Sequence, residues 1–71
     1  MDFLEKAKIR MEHWIGHNEG HQEEYEIFAR ELEKAGKKKS AEYIREMMEL
    51  TAKTVDCLRK AVKALGQGKG Q

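Results

Sequence analysis

Three histidines spaced four residues apart dominate the chemistry this chain could perform. His13, His17 and His21 lie in the segment H-W-I-G-H-N-E-G-H, which also holds Trp14, the only tryptophan. Imidazoles at i and i+4 of a helix project from one side and can share one metal ion. The three fan over about 80° of helix surface. His17 and His21 lie nearest the apolar stripe, and His13 lies toward its rim. Glu24 follows His21 by three residues and adds a carboxylate on nearly the same face. Zinc, nickel or cobalt suits such a donor set, with the thiol of Cys57 a further candidate ligand. The competing structural role gives Asn18 and His21 to the core, where a polar residue fixes register and oligomeric state. Trp14 falls on the same stripe and is expected in the core, and Cys57 is expected to pack as a small buried hydrophobe.

Catalytic arrangements find no support. Ser40 is the only serine and reads best as a helix cap, so no Ser–His–Asp set is available. Neither G-x-x-x-x-G-K-[ST] nor G-x-G-x-x-G occurs. A di-iron carboxylate site would need E-x-x-H motifs on facing helices. Here Arg10, Trp14 and Asn18 occupy the positions three before the histidines. A non-enzymatic role is expected.

The elements that must carry these residues are helices. Asp2 with Glu5 reads as a capping box opening a first helix over about 2–35. Its apolar positions run Leu4, Ala7, Met11, Trp14, then Asn18 and His21, then Tyr25, Phe28, Leu32 and Ala35. That alternation of threes and fours is a heptad seam. Gly36 supplies a C-cap, residues 36–39 with their lysines a turn, and Ser40 an N-cap for a second helix over about 40–65. The second helix carries two adjoining seams. One contains Ala41, Ile44, Met48, Thr51, Val55, Leu58, Val62 and Leu65; the other contains Tyr43, Met47, Leu50, Thr54, Cys57, Ala61 and Ala64. So wide an apolar face touches two neighbours, of which the first helix is only one.

The predicted architecture is therefore all-α: an antiparallel two-helix hairpin that dimerises into a four-helix bundle. A 71-residue chain is one small domain, near the lower limit of what a single core sustains. Charged residues make up 38% and proline is absent, as suits long uninterrupted helices. A hairpin folded about residues 37 and 38 sets position n opposite about 75 − n, which brings Thr54 and Leu58 to the level of His21 and His17. Gly16 and Gly20 weaken the first helix by about 1 kcal/mol each relative to alanine. The net charge of +1 gives no field for nucleic acid or an anionic membrane. Residues 66–71, G-Q-G-K-G-Q, read as a flexible tail. The first residues show no basic flank followed by an apolar block, so no signal peptide is expected, and the single cysteine forms no internal disulfide. A cytoplasmic protein is the expectation.

The run Trp14-Ile15-x-His17-Asn18-x-x-His21, followed by Glu24 and Tyr25 and a second helix rich in Ala, Glu and Leu, resembles a small family of prokaryotic and archaeal helical proteins named only as a domain of unknown function. The resemblance spans most of residues 10–65. It implies a helical hairpin and singles out Trp14, His17, Asn18 and His21, and it brings no activity with it. The sequence thus points to a small protein that binds a divalent transition metal through its histidine cluster. The alternative is a metal-free module that pairs with itself or receives a partner protein's helix.

Overall fold

The computed structural model of the chain describes residues 2–67, which form two helices, α1 (Phe3–Lys34) and α2 (Lys38–Leu65), packed antiparallel. The Asp2 side chain accepts a hydrogen bond from the Glu5 backbone N–H at 2.9 Å, which satisfies one of the donors exposed at the start of α1. At its other end the Lys37 N–H reaches the Leu32 carbonyl at 2.8 Å, and the Gly36 N–H reaches Glu33 at 3.0 Å. This Schellman closure puts Gly36 at φ +82°, a left-handed conformation that glycine adopts without strain.

The closure tightens the connection more than the sequence suggests. Lys37 caps α2 without a side-chain bond, and Ala41 N–H already donates to the Lys37 carbonyl at 3.1 Å. Ser40 therefore lies within the first turn of α2 rather than at its cap. At the far end, Gly66 and Gln67 donate back to Lys63 and Ala64 and complete the last turn. Residues 68–71 of the expected tail lie outside the described residues.

Helix α2 packs as its first seam predicts. Ala41 and Val55 are buried, and Ile44, Met48, Thr51, Leu58, Val62 and Leu65 are half-buried. Helix α1 is rotated relative to its predicted seam. Met11, Asn18, Tyr25 and Leu32 face α2 as expected, but the positions between them are Ile15, Gln22 and Ala29, not Trp14, His21 and Phe28. The expectation of a core Trp14 is thus corrected: its side chain is 47% exposed, and Phe28 is 50% exposed. The physical reason lies at the closed end. A connection this short holds the backbones close together, and Ala29 and Ala41, both fully buried, allow that approach where a phenylalanine ring would not.

Polar contacts fix the register. The Gln22 side-chain amide donates to the Met48 carbonyl at 2.8 Å. Arg45 bridges Glu26 and Glu33, with its shortest bond 2.7 Å to Glu33, and Arg59 pairs with Glu19. These pairs bracket the pairing of n with 75 − n. Within the helices, at the i, i+4 spacing, Glu26 pairs with Arg30 at 3.0 Å and Asp56 with Lys60 at 2.9 Å. The hairpin measures 53 × 23 × 11 Å, a plank one helix thick. Among the described residues no helix is long and apolar enough to cross a membrane.

Candidate functional site

The histidines form a ladder along α1. Rings of residues 13, 17, 21 and 25 follow one another at the i, i+4 spacing that places side chains above each other on a helix. His13 stacks toward His17 with centroids 6.3 Å apart, His17 meets His21 edge to face at 4.4 Å, and His21 stacks on Tyr25 at 5.8 Å. The closest approach is between nitrogens: His17 Nε2 lies 3.0 Å from His21 Nε2. Two neutral rings at this distance share one hydrogen bond, one ring donating its N–H to the lone pair of the other. Two lone pairs at nearly the same separation can instead converge on one ion. Ligands about 3.3–3.4 Å apart satisfy a tetrahedral centre with Zn–N bonds of about 2.0–2.1 Å. Glu24 Oε2 lies 3.4 Å from His21 Nδ1, the nitrogen facing away from His17. There the carboxylate can accept a hydrogen bond from the ring N–H and fix its tautomer, the supporting role such groups play behind metal-bound histidines.

The donor set expected from the sequence is only partly assembled. His17 and His21 converge, and Glu24 and His13 flank them. Among the described residues, no three of His, Cys, Asp and Glu gather closely enough to hold a metal. Cys57 does not join the histidines, and its expected burial is corrected: it is exposed on α2. The first seam of α2 is consumed by α1, leaving Tyr43, Leu50, Thr54, Cys57 and Ala61 of the second seam exposed. Asn18 is half-buried at the helix interface, and His21 is half-exposed at its edge rather than enclosed.

Helical geometry places the ladder and this open seam on the same broad side of the plank. Trp14, His21 and Phe28 lie on α1 to one side of the buried line, and the second seam of α2 lies to the corresponding side of its own line. The opposite side carries the charged bridges. Hydrogen bonds from Arg45, and then from Arg30, hold the Glu26 carboxyl below the usual carboxylate range; Arg45 does the same to Glu33. The two carboxylates in turn raise the Arg45 guanidinium further.

Sequence reading missed two features of the helix interface. One is Gln22, whose amide NH₂ bonds to Met48 while its Oε1 is buried without a partner. The other is the set of bridges from Arg45 and Arg59. Its signal was the heptad spacing of Glu12, Glu19, Glu26 and Glu33 against arginines fourteen residues apart.

Comparisons with curated proteins and with solved structures found no match. A family model described as a domain of unknown function, DUF8180, matches residues 7–65, from within the first turns of α1 to the end of α2 and across the whole histidine ladder, and the chain belongs to that family.

Proposed function

We propose that this protein binds a divalent transition metal through His17 and His21, as a small non-enzymatic helical protein. The observation that carries the reading is the 3.0 Å separation of the two Nε2 atoms on an accessible side of α1. Zinc, nickel and cobalt match two imidazoles, and Glu24 orients His21 from behind. The experiment is metal analysis and calorimetric titration of protein purified without a histidine tag, alongside His17→Ala/His21→Ala. Binding of at least half an equivalent per chain by the parent and none by the variant supports the reading. Less than a tenth of an equivalent in the loaded parent, with no shift in melting temperature, rejects it.

A second reading is favoured by a separate observation. The hairpin is a plank one helix thick and cannot bury both broad sides by itself. Trp14, Phe28, Tyr43 and Leu50 leave apolar area in water, each 47% exposed or more. This supports a homodimer in which two planks stack through their open sides into a four-helix bundle, an assembly that needs no metal. Sedimentation equilibrium in chelator tests it: a two-chain mass at micromolar concentration supports the dimer, and a one-chain mass into the millimolar range rejects it.

A further inference from the structure

We infer that the metal centre is shared by two copies of this chain, with His17 and His21 of each supplying four imidazoles to one ion on the molecular two-fold axis. The inference rests on both readings above and specifies how they join.

The starting point is that the site is half a site. Two imidazoles converge, and among the described residues no third His, Cys, Asp or Glu of the same chain joins them. A structural tetrahedral centre takes four. The position of the pair along α1 supplies the missing two. Helix α1 runs from Phe3 to Lys34, so its midpoint falls between residues 18 and 19, and His17 and His21 flank that point. When two copies of α1 pack antiparallel with full overlap, residue n faces residue 37 − n of the other copy. Only residues near the midpoint then meet their own counterparts. The imidazole pair is at that place, on the side of α1 directed away from the charged bridges.

The charges on the outer edge of this stripe suit the same register. Lys6 falls opposite Glu31 of the second copy, and His13 opposite its Glu24. More broadly, the N-terminal half of α1 carries Lys6, Lys8 and Arg10 against Glu5 and Glu12, whereas the segment from Glu19 to Lys34 has six glutamates against two cations. Antiparallel pairing of α1 with itself sets the cationic end against the acidic end; parallel pairing would set like against like.

Helix α2 agrees independently. The hairpin register carries the two-fold from residues 18 and 19 of α1 to about residue 56 of α2. Tyr43, Met47 and Leu50, the large members of the open seam, lie before that point, and the small Ala61 and Ala64 lie after it. A two-fold there sets Leu50 within a turn of Ala61 of the second copy and Met47 within a turn of its Ala64. Large side chains thus meet small ones, as close packing requires. The alternative stacking, α1 over α2 of the second copy, would bring His17 and His21 to Cys57 instead and make two centres per dimer. It sets the cationic end of α1 over the C-terminal half of α2, where Lys53, Arg59, Lys60 and Lys63 outnumber Asp56. Charge therefore favours α1 on α1.

Titration of the tag-free full chain with cobalt(II) tests the arrangement, read by absorption and by sedimentation mass. The expected result is half an equivalent of metal per chain, a two-chain mass, tetrahedral cobalt bands and no sulfur-to-cobalt charge-transfer band. Cys57→Ser leaves all four unchanged. Metal tightens association at least tenfold in the parent and not at all in His17→Ala/His21→Ala, which keeps its helical circular dichroism and its metal-free dimer. Lys6→Glu weakens association, and adding Glu31→Lys to the same chain restores it. One equivalent per chain, a metal-bound single chain, loss of binding in Cys57→Ser or no rescue by the double charge swap overturns the shared four-imidazole centre. A two-chain mass in chelator with no metal uptake would overturn this inference and leave the dimer standing. A one-chain mass in chelator that stays so with metal bound removes the dimer and leaves the two-histidine reading standing.

Discussion

The two long sides of the hairpin are built on the same heptad spacing and end differently. On one side the residues flanking the core are charged in complementary fashion: Glu19 meets Arg59, and Glu26 and Glu33 meet Arg45. These links are closed within the chain. On the other side the residues are Trp14, His21 and Phe28 on α1 and Tyr43, Leu50 and Cys57 on α2, and all but the half-buried His21 are exposed. The charged side finishes its interactions with its own sequence and tolerates water. The open side offers apolar area and half a ligand set. The difference teaches where the chain keeps its capacity for interaction: in the side chains that its intramolecular register leaves unused.

The largest expected effect comes from spoiling the open side. Leu50→Glu sets a charge in the middle of the seam proposed to meet a second copy, where an apolar side chain would otherwise be covered. Because Leu50 is 59% exposed in the single chain, the hairpin itself loses little. Association is expected to fall by at least a hundredfold in sedimentation, since burying an unpaired carboxylate costs several kcal/mol. The melting temperature would then cease to depend on protein concentration. An unchanged two-chain mass would show that α2 does not line the interface.

Much of this contrast was legible in the sequence, and the part that was not has a specific cause. The helices, the Asp2 cap, the Gly36 closure and the register followed from capping chemistry and hydrophobic spacing. The buried seam of α2 was also readable, because its apolar positions are unambiguous. Helix α1 was not, because Ile15 and Trp14 compete for the same place in the heptad, as do Ala29 and Phe28. Reading by size favours the aromatic residues. The structure instead chooses the small ones beside the short connection, where Ala29 and Ala41 are fully buried. That one-residue rotation moved Trp14 out of the core and His21 to its edge. The pairing of His17 with His21 survived it, since i and i+4 share a face at any rotation of the helix. Cys57 did not, because its place beside the histidines depended on which seam α1 would occupy.

A smaller effect is expected on the charged side, through pH. Glu26 and Glu33 are held below the ordinary carboxylate range by Arg45. A carboxylate whose folded-state value is lowered lends stability that is complete above its unfolded value, near 4.5. That stability is lost as pH falls through the lower folded value. Arg45→Ala should thus lower the melting temperature slightly at pH 7, and the difference from the parent should narrow steadily below about pH 4.5. Added salt should narrow it as well, because these groups are exposed. Thermal melts of both proteins from pH 7 to pH 2 check the sign. A difference that stays constant on acidification would show that Arg45 acts through packing of its stem rather than through its carboxylate partners.

The smallest effect is also the most discriminating about geometry, because it tests a surface that neither side claims. Gly16 and Gly20 sit four apart on the part of α1 turned away from α2, and a Cβ built on either meets nothing within 4 Å. Both adopt helical backbone, so alanine fits without strain and removes freedom from the unfolded chain. Each of Gly16→Ala and Gly20→Ala is expected to stabilise the protein by about 0.5–1 kcal/mol, additively to within a few tenths. If α1 meets its copy along the line of His17 and His21, these glycines lie at the margin of that contact. The dimer should then gain the same stability per chain as the monomer. Alanines that stabilise the dilute chain but weaken its association would move the contact about a quarter-turn around α1, onto the glycines, and away from the imidazole pair. Melts at two protein concentrations a hundredfold apart separate the two outcomes.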